Sequence, residues 1–523
     1  MVKLNLYQHP KQKGTKFIRR KDLTVEIRLY ISFLALMDNS WGIISRLAKN
    51  YAISRTFVYM LQSQLNKAIE KDFYIESIPS KNEIMIESKT KSLGFALLLR
   101  MEGKSSIASI SDIMKRLELR NNSVGTISQT LDKIGEYLPN TLEFDKNTDL
   151  YVYLASDEVF SHSSPILISV DPISTTILKI ELAESRKTEV WINHFKALKE
   201  NGVNIIRLVS DEGPGICKAN DLVFKETCRQ PDTFHAISHR LGKWVSSLEK
   251  SAYASIGEEY HYLEVFESAK TEEVLQKRMD AYFEAKRKTD EAIMLYENYK
   301  FLYHCIINQL QVFDKEGIPR NRKNAEENIR IALDYMISLP INKINKEINT
   351  IYNLLDELLG YLDVAEQIIK HLKFKKIPHY ILREFSLAWQ YQKNTIKAKN
   401  TIRRKYYQDR EQEQLELLEM ILGNKFESIK TTVFFELDKI VQSSAIVENI
   451  NSIIRTFLNT SKNHINQNML NLIMFYHNHR RYKAGKRKGK TPLELLTGIK
   501  QDKDWLELLL EKEEVQREFL QAA

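Results

Sequence analysis

The chain has 523 residues, more than one hydrophobic core usually serves, and 43% of them are hydrophobic, so its length predicts about two to four folded domains. Its net charge of +9 favours a polyanionic partner, nucleic acid first and an anionic membrane second. Three cysteines exclude a disulfide framework and a cysteine-rich zinc finger. The sequence shows neither an apolar signal core nor a run near the roughly 18 apolar residues of a membrane span, which predicts a cytosolic protein.

The N-terminal region predicts DNA-binding helices. Residues 1–21 form a basic arm, and residues 22–140 a helix-turn-helix region. Within it, the segment from Ile43 to Gln62 has an apolar first helix, a turn at Ala52 and a second helix capped by Ser54. A plain helical hairpin is the alternative. The outer face of the second helix carries the residues predicted to contact DNA: Arg55, Thr56 and Tyr59.

A second helical pair is predicted between Ser105 and Leu138. Ile107, Ile110, Ile113 and Leu117 define its first helix, and Val124, Ile127, Leu131 and Ile134 define its second, which Ser123 caps. Two such units in tandem suit an extended DNA site. A simple helical bundle fits this second pattern equally well.

From residue 141 to 241 the sequence changes to β-rich runs. The predicted strands are Leu150–Ser156, Pro165–Val170, Thr175–Leu182, Asn204–Val209 and, as a possible fifth, Thr233–Ile237. An amphipathic helix over Thr188–Asn201 precedes the fourth strand. Three strands in a meander, a helical crossover and a further strand predict a mixed sheet in the order of an RNase H-like fold.

Residues 242–440 contain few glycines and prolines and predict an all-α insertion. Apolar residues spaced by three and four from Ile341 to Leu372 indicate a packed helical seam. Residues 441–500 then close the sheet domain with helices and a basic loop, and residues 501–523 form a C-terminal helix or tail. The predicted fold class is therefore multidomain α/β plus α.

Three acidic residues suggest the chemistry. Asp157 and Asp211 each follow an apolar strand, and Glu448 lies on a predicted helix with Ser452 and Arg455 on the same face. Carboxylates at two strand ends and on one helix can converge on a pair of Mg²⁺ ions. Asp171 is the rival for the first position. Glu158 and Glu212 would point away from the site.

Several short motifs resemble DDE transposases of the RNase H-like superfamily, which includes retroviral integrases and bacterial insertion-sequence transposases. Tyr151–Glu158 and Val209–Gly213 resemble the two catalytic strands, and Asp232-Thr-Phe-His235 resembles the motif that follows the second aspartate in transposases with a helical insertion. Phe475–Tyr482 and Gly489–Leu496 resemble the closing helix and tail.

The resemblance implies that Asp157, Asp211 and Glu448 bind two Mg²⁺ or Mn²⁺ ions. It also implies that the histidine of the Asp232–His235 motif lies at the edge of the active site; a satisfied structural histidine is the alternative. The implied activity is cleavage at transposon ends and transfer of the 3′-hydroxyl into target DNA by a homo-oligomer in the bacterial cytosol. A non-catalytic DNA-binding regulator and an RNase H-like nuclease that only cuts remain as alternatives.

Basic segments predict further contacts with DNA phosphates. They are Lys397, Arg403 and Arg404 in the insertion, Arg455 beside Glu448, and Arg480, Arg481, Arg487 and Lys488 in the late basic loop. Solvated charge runs are the alternative.

Overall fold

A computed structural model describes residues 22–38, 40, 42–73, 81–144, 150–225, 227–341, 344–375 and 377–515. The predicted basic arm, 1–21, and the last eight residues of the predicted tail lie outside these ranges.

The chain is mostly helical and contains one small sheet. The helices before the sheet are α1 (Val25–Met37), α2 (Ile43–Asn50), α3 (Arg55–Phe73), α4 (Lys81–Met101), α5 (Ile107–Arg116) and α6 (Val124–Glu136). The strands are β1 (Tyr151–Ser161), β2 (Ser164–Val170), β3 (Ile177–Leu182), β4 (Asn204–Ser210) and β5 (Cys228–Pro231). Between and after strands lie α7 (Thr188–Glu200), α8 (Pro214–Val223) and a π-helix (Phe234–His239).

Two further groups of helices follow. The insertion contains α9 (Arg240–Glu267), α10 (Glu272–Gln309), α11 (Arg322–Ile337), α12 (Ile344–Leu358), α13 (Gly360–Phe374), α14 (His379–Lys397), α15 (Thr401–Leu422), a 3-10 turn (Gly423–Lys425) and α16 (Phe426–Leu437). The closing helices are α17 (Ala445–Thr460), α18 (Gln467–His479), α19 (Pro492–Thr497), α20 (Trp505–Leu510) and α21 (Glu513–Val515). Among the described helices, none combines the length and the apolar character that a membrane crossing requires.

The predicted helix pair between Ile43 and Gln62 is present as α2 and α3. Ala52 adopts a left-handed φ of 50° in the turn, where glycine is the usual residue. Ser54 Oγ accepts a hydrogen bond from the Phe57 amide at 3.0 Å and so begins α3. With α1, the pair encloses a small separate core of Leu23, Ile31, Ala35, Leu47, Ala48, Val58 and Leu61.

The second predicted pair, α5 and α6, is present but does not have a separate core. Ile127, Leu131 and Ile134 share one hydrophobic cluster with the sheet and α18. Gly135 of α6 lies against the backbone of α18, where an added Cβ would approach the Asn468 carbonyl oxygen to 2.0 Å. This unit is therefore docked on the sheet domain, in agreement with the bundle alternative for its packing.

The five strands form one mixed sheet in the order β3-β2-β1-β4-β5. β1, β2 and β3 pair antiparallel, while β4 is parallel to both β1 and β5. The meander and the helical crossover through α7 match the predicted succession. One prediction was wrong: the fifth strand is Cys228–Pro231, and Thr233–Ile237 enters the π-helix, because Ala236 and Ile237 pack into the core of the insertion.

Both faces of the sheet are covered. α17, α18 and α20 pack on one face together with α4, α5 and α6, and α7 and α8 pack on the other. The outer edge of β3 is covered by amide side chains of α18. Asn478 pairs with both backbone groups of Ile177 at 2.9 Å, and Gln467 accepts from the Leu182 amide at 2.7 Å. These bonds satisfy an edge that would otherwise be open to pairing.

The insertion has its own large core, and the predicted seam from Ile341 to Leu372 is buried within it, on α12 and α13. These helices meet the opposite edge of the sheet. Gln230 of β5 donates its amide to the Leu358 carbonyl at 2.7 Å, and Gly360 allows Arg207 of β4 to approach closely. The insertion therefore packs directly beside the sheet.

Candidate acidic site

The first two predicted acids lie side by side where β1 and β4 separate. The last pair in the parallel register of these strands is Ser156 with Ser210, so Asp157 and Asp211 are the next residue on each strand. Neighbouring strands lie about 4.8 Å apart, which sets the approximate separation of the two backbones. Asp157 does not end its strand as predicted, because β1 continues along β2 as far as Ser161.

The Asp157 carboxyl is largely buried under α17. Its position alternates with Ala155 and Val159, which pack against that helix, so the side chain faces the same way. Burial raises its pKa to about 7, and the charges of Asp211, Glu158 and Glu448 add to the rise. Asn451 donates its side-chain amide to Asp157 Oδ2 at 2.9 Å.

Asp211 joins the end of β4 to the start of α8. Its Oδ1 accepts a hydrogen bond from the Gly213 amide at 3.0 Å, which closes a tight turn before Pro214 begins the helix. Within the described ranges, no lysine or arginine forms an ion pair with Asp211. Its second carboxylate oxygen can therefore face the space between the strands.

Glu448 reaches this region from the first turn of α17. It is exposed, whereas Asn451, three residues later on the helix, is buried against Asp157. Residues three apart share a helix face, so Glu448 lies beside the contact between Asn451 and Asp157. Its charge also contributes to the raised pKa of Asp157. Arg455, four residues beyond Asn451, is exposed near the same face.

The neighbouring glutamates have cationic partners. Glu158 accepts from Arg186 at 3.0 Å, and Glu212 forms an ion pair with Arg240 of α9. Asp157 is also without an ion-pair partner among the described residues. The two glutamates predicted to point away are thus neutralised locally, and the site keeps uncompensated negative charge.

Asp171, the rival for the first position, lies in the turn between β2 and β3. Its Oδ2 accepts from both the amide and the hydroxyl of Ser174, at 2.7 and 2.6 Å. The residue is 3% exposed. Its carboxylate closes a local turn.

Asp232 and His235 of the predicted motif also lie at the end of the sheet. Asp232 directly follows β5, and its amide donates to the Ser210 carbonyl at 3.0 Å. Its Oδ1 accepts from the His235 amide at 3.1 Å, and its Oδ2 accepts from Ser444. The rings of His235 and His239 are 6.0 Å apart.

The ligand atoms at this site suit a hard cation, but the acidic side chains do not lie close enough together to form a complete metal-binding site. Asp157, Asp211 and Glu448 offer carboxylate oxygens, which Mg²⁺ and Mn²⁺ prefer. Asn451 Oδ1 is buried and has no hydrogen-bond partner among the described residues. Across those ranges, however, no group of three or more His, Cys, Asp and Glu side chains could hold a metal ion as arranged.

A buried polar chain crosses the other face of the sheet. His194 contacts Glu181 and Ser169, each at 3.0 Å, and Ser169 contacts Ser156 at 2.7 Å. The order serine, histidine and glutamate is typical of nucleophilic catalysis. Ser156, Ser169 and His194 are all 0% exposed, so no substrate can reach them. These hydrogen-bonded side chains therefore stabilise the sheet.

The predicted DNA-contacting residues of α3 are all on its surface. Arg55, Thr56 and Tyr59 are exposed at the N-terminal end of the helix, and Tyr59 has an exposed fraction of 56%. The opposite face of α3 is buried through Val58 and Leu61.

The other predicted basic residues fall into two groups. Lys397, Arg403, Arg404 and Lys488 are exposed, although Lys397 donates to the Gln442 side chain at 3.1 Å and Arg404 donates to the Ala398 carbonyl at the end of α14. The remaining residues are engaged within the protein: Arg480 stacks between Tyr476 and Tyr482, Arg481 pairs with Glu494, and Arg487 donates to the Ile173 carbonyl. Arg480, Arg481 and Arg487 therefore stabilise the basic loop that follows α18.

Comparison with models of known protein families found no match, and a search of curated proteins found no match either. The structure is mostly helical with one mixed five-stranded sheet, is compatible with the predicted α/β plus α class, and brings acidic residues to one end of that sheet. Two buried residues near this end of the sheet, Asn451 and Ser444, escaped prediction. Their partners lie 294 and 212 residues away in the chain, and no local pattern marks such contacts.

Proposed function

We propose that the protein is a DNA transposase that cleaves transposon ends and transfers the 3′-hydroxyl into target DNA with the help of two Mg²⁺ or Mn²⁺ ions. The strand order and directions support an RNase H-like arrangement of the sheet. The observation that carries the proposal is geometric: Asp157 and Asp211 directly follow the last paired residues of the parallel strands β1 and β4, and neither has a cationic partner among the described residues. Burial and the charges of Asp211 and Glu448 also raise the pKa of Asp157 to about 7.

The proposed roles follow from position. Asp157 would contribute to holding both ions, and Asp211 and Glu448 would each contribute to holding one of them. When bound, the ions supply activation of a water or 3′-hydroxyl and stabilise the leaving oxygen. Asn451 orients the Asp157 carboxylate through its 2.9 Å hydrogen bond. Arg455 would hold a DNA phosphate beside α17.

The remaining parts would bind DNA. The exposed face of α3, with Arg55, Thr56 and Tyr59, suits the major groove of a transposon end. The exposed cations of α14 and α15 would contact phosphates without regard to sequence. Two ends must be joined in one event, so the active form would be a homo-oligomer.

A second candidate is a non-catalytic DNA-binding regulator. The specific observation in its favour is that no set of acids among the described residues is arranged to hold a metal ion. DNA would have to draw the three carboxyls together in the transposase, whereas the regulator would never need them closer.

The test uses labelled duplexes that carry the DNA flanking the gene. With Mg²⁺ or Mn²⁺, the full chain should cut at the transposon end and then form joined products longer than the substrate. Asp157→Asn should abolish both reactions and leave the gel shift intact, whereas Glu158→Gln on the same strand should keep both. Cutting without joining would favour a nuclease. Binding without cutting would favour the regulator.

A further inference from the structure

A buried contact between Asp232 and Ser444 lies where the chain leaves the sheet for the insertion and comes back from it. Asp232 follows β5, and Ser444 precedes the first residue of α17, 212 positions later. Asp232 Oδ2 accepts hydrogen bonds from both the amide and the hydroxyl of Ser444, each at 2.7 Å. Both residues are 3% exposed. This contact joins the two ends of the whole insertion.

The next residues repeat the connection. Thr233 donates its amide and its hydroxyl to the Gln442 carbonyl, at 3.1 and 3.0 Å. The side chain of Gln442 in turn donates to the Leu310 carbonyl at 2.9 Å and accepts from Lys397 at 3.1 Å. The loop that leads from the insertion to α17 is therefore hydrogen-bonded both to the sheet and to the insertion.

Both carboxylate oxygens of Asp232 accept hydrogen bonds in these contacts. Its Oδ2 receives two donors from Ser444 and its Oδ1 receives the His235 amide. Each of the two carboxylate oxygens of Asp232 therefore already accepts at least one hydrogen bond from the protein. Asp232 is thus suited to fix a chain segment and is poorly placed to offer an oxygen to a metal ion.

The fixed segment leads directly to the third acid. The Ser444 carbonyl accepts from the amides of Val447 and Glu448, so it begins the turn on which Glu448 lies. On the other side, the amide of Asp232 is bonded to Ser210, the residue before Asp211. One aspartate therefore connects the backbone beside the second acid to the helix turn of the third.

We propose that Asp232 is a positioning residue that holds Glu448 at the acidic site by fixing Ser444, the residue that precedes α17; this inference rests on the proposed function. The two aspartates are set by sheet register, whereas Glu448 lies on the first turn of α17, which packs on the sheet through its apolar face and is fixed at its start by this contact. Residues that orient a metal ligand typically affect metal affinity or activity about 10- to 100-fold when changed.

The chain provides a matched control. Asp171 accepts from the amide and the hydroxyl of Ser174 with nearly the same distances, 2.7 and 2.6 Å, and is equally buried. That contact spans three residues within the turn from β2 to β3 and does not involve α17. Any general effect of weakening a buried aspartate–serine contact should appear in both pairs.

The experiment compares Asp232→Asn and Ser444→Ala with Asp171→Asn and Ser174→Ala in the full chain. The readouts are thermal unfolding, the Mg²⁺ concentration for half-maximal cleavage, and amide hydrogen exchange in the first turn of α17 without metal. The first pair should raise the half-maximal Mg²⁺ concentration about tenfold or more and speed exchange in that turn. The control pair should lower thermal stability alone.

Unchanged Mg²⁺ dependence and unchanged exchange in Asp232→Asn and Ser444→Ala would overturn the positioning role. Equal changes in the control pair would also overturn it, because they would reflect general destabilisation. If the unmodified chain does not cleave DNA with either ion, the proposed function fails. Hydrogen exchange, which needs no activity, then decides alone whether Asp232 fixes the start of α17.

Discussion

Replacing Asp157 with asparagine should stabilise the metal-free protein while abolishing its proposed activity. Asparagine has nearly the shape of the protonated carboxyl, and its carbonyl oxygen can still accept the hydrogen bond from Asn451. The substitution removes a charge that is buried near Asp211 and Glu448. The gain in stability would come from relief of that repulsion and desolvation.

The magnitude follows from the pKa of Asp157, which rises from the ordinary 3.8 to about 7. Each pH unit corresponds to about 1.4 kcal/mol, so ionising Asp157 in the folded protein costs on the order of 4 kcal/mol. Below pH 4 the carboxyl is protonated in both folded and unfolded chains and the cost is absent. Between pH 4 and 7 the folded state holds the proton more tightly, so stability falls as pH rises. Above pH 7 the full cost remains.

The assay is denaturant unfolding of the unmodified chain and Asp157→Asn between pH 4 and 8, with Glu158→Gln as control. The variant should be more stable by roughly 3–4 kcal/mol at pH 8, with the difference vanishing near pH 4. The control removes an ion pair with Arg186, whose side chain is 68% exposed while that of Glu158 is 13% exposed, and its stability should change by about 1 kcal/mol or less. Mg²⁺ at about 100 times its dissociation constant should stabilise the unmodified chain by about 2.7 kcal/mol and the variant less. A stability difference that does not depend on pH would refute the reasoning.

Three further predictions address other parts of the molecule. Gly135→Ala should destabilise the chain by about 1–3 kcal/mol in thermal unfolding, because its Cβ would meet the backbone of α18, whereas Gly125→Ala in the same helix has no neighbour closer than 4.0 Å and should be neutral or slightly stabilising. Arg55→Ala should reduce the preference for transposon-end over random duplex by about 1–3 kcal/mol in a binding titration, whereas Lys49→Ala, which removes the same charge from exposed α2, should leave the preference intact. Asn451→Ala should move the acidic limb of the pH–cleavage profile to higher pH, because it removes a hydrogen bond that favours the ionised carboxylate beside it; an unmoved limb would exclude that contact from the reaction.

Local sequence patterns predicted most strands of the sheet but few of the residues at which these strands begin and end. β2 and β4 are short runs rich in Ile, Leu and Val, a composition typical of strands, and β2 is buried along most of its length. β5 escaped because Cys-Arg-Gln-Pro has no apolar alternation, and only pairing with β4 makes it a strand. The extension of β1 past Asp157 also depends on its partner, since pairing with β2 continues after β4 has diverged.

Packing between distant segments was less predictable. The apolar positions of α5 and α6 are the same whether the pair encloses its own core or docks on another helix. The structure selects the second through Gly135 and through Asn471, whose side chain donates to two carbonyls at the end of α6. For the site, Asp157 and Asp211 could be selected because each follows an apolar run, although β1 continues past Asp157. Asn451 and Ser444 could not be predicted, because ordinary polar residues carry no signal of a partner that is distant in the sequence.

The architecture explains how a repulsive group of acids can persist. Asp157 and Asp211 are held at neighbouring positions by the register of two parallel strands, and that register is fixed by apolar clusters on both faces of the sheet. Glu448 is held separately, through the helix that begins at Ser444. The apolar clusters keep these backbones in place even though burial and the neighbouring charges raise the pKa of Asp157 to about 7, so the three carboxyl groups stay at the same end of the sheet. A protein that used these acids only for structure would gain stability by neutralising any one of them, as it does with Glu158 and Glu212.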